Sequence, residues 1–372
     1  MKNKVLTGLL LVLIGGWGSL SAQSAGSNYS RQVNTLIGTK GVGLTSGYLY
    51  PGATYPYGMV QFTPSYFSKR SGFVINQLSG GGCEHMGNFP TFPVKGKLKM
   101  SPDNILNYRI NISEEKGHAG YYEAMVQEDI KAKLTVTERT GMASYEYPAD
   151  QQYGTVIIGG GISATPIEQA AIVITAPNKC EGYAEGGNFC GLRTPYKVYF
   201  VAEFDTDALE SGTWKRNELK PNTTFAEGEY SGVYFTFDVN KKKNIQYKIG
   251  VSYVSVENAR ENLKAENTGW DFLQIQNQAE SKWNHYLGKI EVEGTNPDRT
   301  TQFYTHLYRS FIHPNVCSDV NGEYMGADFK VHKSRSKHYT SFSNWDTYRT
   351  QIQLLSILDP EVVSDLSLIH IS

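Results

Sequence analysis

The feature that most constrains the fold is a change in the spacing of the apolar residues near position 260. Between about 31 and 255 they alternate with polar residues or form short blocks bounded by Gly, Pro, Asn or Asp. The clearest blocks are "KLTVTE" (133–138), "GTVIIGG" (154–160), "YKVYFVAEF" (196–204), "SGVYFTFDV" (231–239) and "YKIGVSYVSV" (247–256). Many short strands with turn residues between them are typical of a β-sandwich, which we predict for residues 31–258.

After 260 the spacing becomes helical. In "WDFLQIQNQAESKWNHYLGKI" (270–290) apolar residues recur every three or four positions, which marks one face of a helix. A second helix is predicted from Pro297 to near Pro314, and a third from "WDTYR" through "QIQLLSIL". The fold class is therefore mainly β, with a helical linker over 259–296 and the start of a helical domain over 297–372.

The composition favours strands and argues against polyanionic partners. The chain has 25 Tyr, 16 Phe and 37 Gly, residues that favour strands and the tight turns between them. Lys and Arg number 35 against 36 Asp and Glu, a formal net charge of −1. No bulk field attracts a nucleic acid or an anionic membrane, so neither is expected as a partner.

The first 22 residues have the pattern of a secretory signal peptide. Lys2 and Lys4 precede an apolar run from Val5 to Ile14, and a small-residue end closes at Ala22. No later segment offers the roughly 18 apolar residues that a membrane helix needs. We expect an exported protein, periplasmic or extracellular, without a membrane span.

Four cysteines lie at 83, 180, 190 and 317. Cys180 and Cys190 flank the Gly-rich "EGYAEGGNF" and are either a disulfide or two free thiols, since spacing fixes no connectivity. A zinc site is disfavoured because the chain has no Cys-x-x-Cys pair. A phosphate-binding loop, a nucleophile elbow and a dinucleotide fingerprint are also missing from the sequence.

Several ordered motifs resemble one family. They are "VNTLIGTKGVGLTSGYLYPGATYPYGMVQFTP" (33–64), "LSGGGC" (78–83), "FPVKGKL" (92–98), "GGNFCG" with "YKVYF" (186–200), "LYRSFIHPNVCSDVNGEYMGADFKVH" (307–332) and "FSNWDTYR" (342–349). Together they are similar to glycoside hydrolase family 92, the exo-acting, calcium-dependent α-mannosidases. The resemblance implies a β-sandwich packed on an (α/α)6 barrel, in agreement with the change in spacing.

The resemblance also implies an inverting mechanism, in which one carboxylic acid protonates the leaving oxygen and a second carboxylate activates water. In the family both carboxylates and the calcium ligands come from the barrel beyond the region matched here. We therefore assign no catalytic residue and no metal ligand in this chain. "LSLIHIS" (366–372) does not resemble the family's continuation, which indicates a truncated or artefactual end over 367–372.

What the resemblance places in this chain is part of a sugar-binding wall. Asp346 is the strongest candidate, because a carboxylate accepts hydrogen bonds from two adjacent sugar hydroxyls; composition alone favours a helix N-terminal cap instead. Trp345 either stacks on a sugar or packs between domains. Arg349 lies three residues after Asp346 on a helical face and either orients that carboxylate or pairs with it.

Three further candidates lie in the β domain. Tyr50 aligns with an aromatic subsite wall, or is an ordinary Tyr at a strand end. Gly82 and Cys83 end a Gly-rich turn whose backbone can approach a ligand closely, although such runs usually form turns only.

Two functions are compatible with these observations. The first is the N-terminal portion of an exported α-mannosidase that trims terminal mannose from glycans such as N-glycans or mannan; a sugar phosphorylase is a weaker enzymatic alternative. The second is a non-catalytic carbohydrate-binding or scaffold β-sandwich. We expect the 372-residue chain itself to be inactive, with apolar helix faces after 297 left without partners.

Overall fold

The structure is a computed structural model, and it describes residues 28–40, 47–65, 72–103 and 111–371. The predicted signal peptide lies outside the described residues. Strands and helices are numbered along the chain.

Two large antiparallel sheets form the first part of the chain. The first has the spatial order β1 (Ala53–Thr54), β2 (Gln61–Pro64), β3 (Phe73–Val74), β4 (Thr91–Lys95), β9 (Tyr153–Gly159), β16 (Ser231–Asp238), β13 (Glu210–Lys215) and β14 (Glu218–Pro221). The second has the order β15 (Phe225–Glu227), β10 (Ile167–Ala176), β11 (Lys179–Phe189), β12 (Leu192–Phe204), β17 (Asn244–Ser252), β8 (Thr140–Glu146), β7 (Ile130–Val136), β6 (Tyr121–Val126) and β5 (Ile112–His118).

The aromatic residues explain how the sheets pack. Side chains along β11 alternate between buried and partly exposed, as expected for a strand with one face on the core. The interior holds a tight group of rings in which Phe204 lies 4.9 Å from Phe235 and 5.2 Å from Tyr247, measured between ring centroids. The predicted β-sandwich is confirmed, and its large aromatic content serves this core.

Helices follow the last strand of the sandwich. Their ranges, with the short N-terminal helix, are α1 (Tyr29–Gln32), α2 (Val256–Glu266), α3 (Phe272–Leu287), α4 (Pro297–Ser310), α5 (Asn344–Thr347), α6 (Gln351–Leu358) and α7 (Pro360–Ile371). Asp271 caps α3 and Asn296 caps α4, each through its side-chain oxygen. Two short hairpin pairs lie between α4 and α5, namely β18 (Asn315–Val316) with β21 (Tyr339–Thr340) and β19 (Glu323–Met325) with β20 (Val331–Lys333).

A second apolar core, here called the junction core, joins the helices to the sandwich. Its large buried members are Tyr50, Tyr57, Trp283, Tyr304, Leu307, Tyr308, Phe311 and Leu355. The Trp283 indole N–H donates to the Thr54 carbonyl (2.7 Å), and the Thr54 hydroxyl is 2.8 Å from that of Tyr308. These contacts fix α3 and α4 against β1.

The junction core corrects one expectation about the helices after 297. The apolar face of α4 is buried against the sandwich rather than left without partners. Exposed apolar side chains occur further on, where Ile357 is 79% exposed and Leu368 is 53% exposed.

The predicted third helix is interrupted. The chain forms the single turn α5, then leaves the helical conformation before α6, and Thr350 adopts a φ of 65°. A β-branched residue in the left-handed region cannot continue a helix, so the two helical segments are separate. Pro360 then separates α6 from α7, because proline ends one helix and begins another readily.

A buried ion cluster ties three parts of the chain together. Arg139 Nη1 lies 2.7 Å from a carboxylate oxygen of Glu138 and 2.7 Å from one of Glu266, and its Nε donates to the Ser318 carbonyl. Burial alone would lower the pKa of Arg139, but these two carboxylates raise it. Lys337 adds a further ion pair to Glu138. The cluster thus joins the β7–β8 turn, the end of α2 and the segment around β18.

No helix among the described residues has the length and apolar character needed to cross a bilayer.

Candidate functional site

Five segments that carry the sequence motifs meet at one place, here called the corner. They are residues 47–50, the loop 78–85, the β11–β12 tip at 189–192, the chain 311–316 after α4, and the segment 341–350. The Gly80 N–H donates to the Tyr48 carbonyl (2.8 Å), which joins the first two segments. The contacts below join the others.

Two buried imidazoles hold the 78–85 loop. His85 Nε2 lies 2.7 Å from the Leu78 nitrogen, and His313 Nε2 lies 2.9 Å from the Ser79 nitrogen. A ring nitrogen that accepts from a backbone N–H carries no proton, so each imidazole is neutral in this arrangement. Burial lowers the pKa of His85, and it lowers the pKa of His313 to about 4. The loop is therefore held by neutral histidines.

The orientation of the His313 ring is fixed by a hydrogen bond to Asn315. Its Nδ1 lies 2.8 Å from Asn315 Oδ1, and the Asn315 amide donates to the carbonyls of Gly58 (2.8 Å) and Ile312 (3.0 Å). Asn315 is buried, so this chain of hydrogen bonds fixes the loop to the end of α4 without exchange with solvent.

A disulfide closes the corner, but it is not the pair that the sequence suggested. Cys83 is bonded to Cys190, with 5.3 Å between their Cα atoms, while Cys180 is buried with a free thiol. The candidate Cys180–Cys190 pair is therefore wrong. Both residues lie along an extended strand and its tip, and ten residues of strand span about 33 Å, far beyond the roughly 7 Å that a disulfide allows.

The 341–350 segment is anchored to the corner at both ends. Thr340 pairs with Asn315 in the β18–β21 ladder. Eleven residues later the Gln351 side-chain amide donates to the carbonyls of Ser310 (3.2 Å) and His313 (3.4 Å). The turn α5 therefore projects from the same group of residues that holds the 78–85 loop.

Asp346 and Trp345 lie on this turn and face solvent. Trp345 is 83% exposed, so it does not pack between domains among the described residues. Asp346 is exposed in the first turn of α5, where Ser343 occupies the cap position without a side-chain hydrogen bond. The Asp346 carboxylate is thus not used as a helix cap and remains available as an acceptor.

Arg349 does not pair with Asp346. Its Nε donates to the Tyr348 hydroxyl (2.9 Å), and its guanidinium lies 5.6 Å from the centroid of that ring. The turn α5 ends at Thr347, so Arg349 follows the helix rather than lying on the helical face on which the sequence placed it. Tyr348, which is 55% exposed, was not a sequence candidate. It joins Trp345 as a second solvent-facing ring at the corner.

Tyr50 lies in the junction core with no exposed surface, so its side chain packs beneath the corner. Burial raises the pKa of its phenol, with the neighbouring Tyr308 adding to the rise. Its carbonyl accepts from Arg309 (3.2 Å). Two residues later, a Cβ at Gly52 would lie 2.3 Å from the Phe62 carbonyl oxygen, so only glycine allows the chain entering β1 to approach β2 so closely.

Gly82 is exposed on the 78–85 loop, and the nearest atom to a Cβ built there is a Tyr48 ring carbon at 4.0 Å. Cys83 follows it with its sulfur in the disulfide. The structure thus places Gly82, Trp345, Asp346 and Arg349 at the surface of one corner, with Tyr50 and the Cys83 bridge beneath or behind it.

The described residues do not fit a calcium site. Calcium takes six to eight oxygen ligands with several carboxylates. Within the described ranges no three His, Cys, Asp or Glu residues come together as metal ligands. The described part of the chain therefore supplies no set of calcium ligands.

The two histidines were missed as functional residues at the sequence level. His313 lies inside the motif 307–332 that carries the family resemblance, and His85 lies two residues after the motif "LSGGGC" (78–83). Their position in or beside these motifs was the sequence signal that could have identified them. At the corner, the segment 341–350 presents the rings of Trp345 and Tyr348, the Asp346 carboxylate and the Arg349 guanidinium, a set suited to stacking on a sugar and hydrogen bonding its hydroxyls.

The comparison with protein families matches most of the chain. The model of the glycosyl hydrolase family 92 N-terminal domain matches residues 32–252, and that of the family 92 catalytic domain matches residues 258–371. The last strand of the sandwich ends at Ser252 and α2 begins at Val256, so the boundary between the two matches coincides with the boundary between sandwich and helices.

Individual relatives give the same result. An uncharacterized secreted glycosidase of Arthroderma benhamiae is 26% identical over 363 residues, covering 86% of this chain and 45% of that protein. A solved family 92 α-mannosidase of Bacteroides thetaiotaomicron is 25% identical with a TM-score of 0.81, covering 91% of this chain and 48% of its own. The same enzyme has been solved with mannoimidazole, at 26% identity.

A second solved structure, an inverting family 92 mannosidase of the same bacterium, is 24% identical with a TM-score of 0.76 and shares the fold. The chain spans about half the length of each of these relatives. With both domain matches in sequence order and the fold shared over nine tenths of its length, the chain belongs to glycosyl hydrolase family 92.

Proposed function

We propose that this chain is the N-terminal part of an exported exo-α-mannosidase that releases terminal α-linked mannose from glycans such as N-glycans or mannan. The observation that carries the proposal is the corner, which presents exposed aromatic, carboxylate and guanidinium side chains on a family 92 framework. Support also comes from the solved α-mannosidase with mannoimidazole, which has the same fold over 91% of this chain. The similarity to a secreted glycosidase of Arthroderma benhamiae supports export.

In this proposal the chain binds and orients the terminal mannose. The Asp346 carboxylate accepts hydrogen bonds from two neighbouring hydroxyls, a contact that an epimer with one hydroxyl inverted cannot make. Trp345 and Tyr348 offer their faces to the C–H surface of the ring. Arg349 donates to a hydroxyl, and the loop 78–85 closes the opposite side with the Gly82 backbone.

The framework behind these groups sets their positions before the sugar arrives. The disulfide and the two neutral imidazoles restrict the 78–85 loop, so binding loses less conformational entropy. The acid, the base and the calcium ligands of the proposed inverting reaction are expected outside this chain, and calcium when bound would coordinate sugar hydroxyls.

The test is an assay of the full-length gene product that contains this chain. We expect release of mannose from yeast α-mannan and from 4-nitrophenyl α-mannoside, loss of activity with EDTA, and recovery with calcium. Proton NMR should show β-mannose as the first product, since the mechanism inverts the anomeric centre.

Matched substrates with β-mannoside and α-glucoside linkages are the controls and should not react. Release of another hexose, or no hydrolysis of any α-mannoside with calcium present, would refute the proposal and favour the non-catalytic alternative.

A further inference from the structure

A cavity lies at the far end of the sandwich from the corner. It measures about 640 Å³ and is lined by Asp205, Lys242, Lys243, Asn244, Gln246 and Trp270. Asp205 directly follows β12, and the β11–β12 tip at the other end of the same strand belongs to the corner. Because β12 has 13 residues, its two ends are about 40 Å apart. The cavity is therefore not part of the proposed active site.

Trp270 forms an aromatic wall of this cavity. The Lys248 ammonium lies 4.4 Å from its ring centroid and also donates to the Asn267 carbonyl (3.0 Å). Lys248 does not line the cavity, so the part of the indole that faces the cavity is not the part that Lys248 covers. The Trp270 ring is thus held by Lys248 and open towards the cavity, an arrangement in which an aromatic ring can stack on the apolar face of a ligand.

Two side-chain amides stand beside Trp270 with unused hydrogen-bonding groups. The Asn244 Oδ1 accepts from the Ser144 hydroxyl (2.7 Å), which leaves its NH2 group without a partner among the described residues. Gln246 Oε1 is buried and has no hydrogen-bond partner there. An unmet buried acceptor is unfavourable, and a rotation of this amide towards the cavity lets a bound hydroxyl satisfy it.

The charged groups of the cavity already have hydrogen-bond or ion-pair partners within the protein. Lys242 Nζ lies 2.7 Å from Asp205 Oδ2, and Asp205 Oδ1 accepts from the Gln246 backbone N–H (3.1 Å). Lys243 Nζ donates to three carbonyls, including that of Ala149 at 2.9 Å. Because Lys242 is ion-paired and the ammonium hydrogens of Lys243 are directed at carbonyls, the cavity is suited to a neutral ligand that combines hydroxyls with an apolar face.

We propose that this cavity is a non-catalytic binding site for one pyranose ring of a neutral glycan. The ring stacks on Trp270 while its hydroxyls bond to the amides of Asn244 and Gln246. The inference rests on the cavity itself and takes from the proposed function only the choice of mannan as the first probe. Its role is to hold a distant part of the same polymer, which raises the local concentration of chain ends at the corner.

The test measures binding, not hydrolysis. Purified 372-residue protein is run in affinity gels containing soluble yeast α-mannan, dextran or β-glucan, and binding to α-mannotetraose is followed by calorimetry. Trp270→Ala is expected to weaken mannan binding by about tenfold or more. Gln246→Met is the second variant: it removes an amide that makes no hydrogen bond to the described residues and keeps the side chain's size, so the fold is retained while affinity falls.

Phe225→Ala is the matched control, since it removes an exposed aromatic ring of β15 that lines neither the cavity nor the corner, and it should leave mannan binding unchanged. Trp270-dependent binding of dextran or β-glucan but not mannan would support the sugar site while counting against mannan as the substrate of the proposed hydrolase. Binding of none of the three, equal binding by wild type and both variants, or displacement by inorganic phosphate would overturn the inference.

Discussion

Removing the Cys83–Cys190 disulfide should destabilise the protein by several kcal/mol. The two cysteines are 107 residues apart in sequence, so the bond closes a long loop in the unfolded chain. The loop-closure relation gives an entropic stabilisation of about 4.8 kcal/mol at 25 °C for a loop of this length, and native disulfides typically contribute about 2–5 kcal/mol. We expect Cys83→Ala/Cys190→Ala to lower the free energy of unfolding by an amount within this range.

The assay is equilibrium urea unfolding followed by tryptophan fluorescence, with and without dithiothreitol. Wild type should lose stability in dithiothreitol, whereas the double variant should be unaffected because it has no bond to reduce. Cys180→Ala is the control: its thiol is buried and free, so the reductant-sensitive part of the stability should remain.

Thiol titration of the unfolded, unreduced protein tests the pairing directly. With the Cys83–Cys190 bond, wild type has two reactive thiols, Cys180 and Cys317, and Cys180→Ala leaves only Cys317. The pairing suggested by sequence would instead leave three thiols in Cys180→Ala. That count, or a double variant that remains sensitive to dithiothreitol, would refute the reasoning.

Further predictions concern the buried groups around the corner. His313 has its pKa lowered to about 4 by burial, against 6.5 when exposed, so the unfolded state binds more protons between these values and stability should fall by about 3 kcal/mol as the pH drops from 6.5 to 4. His313→Gln keeps an acceptor for the Ser79 N–H and should flatten this pH dependence in urea-unfolding curves; an unchanged slope would contradict the assignment. Trp283→Phe leaves the Thr54 carbonyl without its indole donor and should cost about 1–3 kcal/mol in the same assay, whereas Trp345→Phe should change stability by less than about 0.5 kcal/mol.

The sequence predicted those parts of the fold that depend on local spacing. Alternating segments such as 196–204 became strands, and the apolar positions of 270–290 became the buried face of α3, including Trp283. Both predictions succeed because an element buried on one face places apolar residues towards the core at a fixed spacing, every second residue in a strand and every three or four in a helix.

Pairings between distant segments were not predictable in this way. Cys83 and Cys190 meet only because β11 carries the second cysteine to the corner, and no local pattern records that meeting. Cys180 could have been excluded from a bond to Cys190 by the strand between them. The burial of Tyr50 likewise depends on α3 and α4 folding back over β1.

The candidate site shows the same division. Motif resemblance brought Trp345, Asp346, Arg349 and Gly82 into consideration, and the fold gathers them at one corner. The helix break at Thr350 was not marked by residue type, since the apolar spacing of 345–358 suits one continuous helix. The helical turn also ends at Thr347, before Arg349, and Arg349 contacts Tyr348 instead of Asp346.

The most direct test of the account is the kinetic effect of Asp346→Asn in the full-length gene product. The carboxylate is proposed to accept two hydroxyl hydrogen bonds, each worth about 1.5–3 kcal/mol for a charged acceptor. The account predicts a fall in kcat/KM for α-mannoside of about 10²-fold or more, with unchanged stability because Asp346 is exposed. Asp150→Asn, which alters an exposed aspartate in a turn of the sandwich, should leave kcat/KM unchanged. Equal activity of wild type and Asp346→Asn would contradict the claim that the corner binds the mannose to be released.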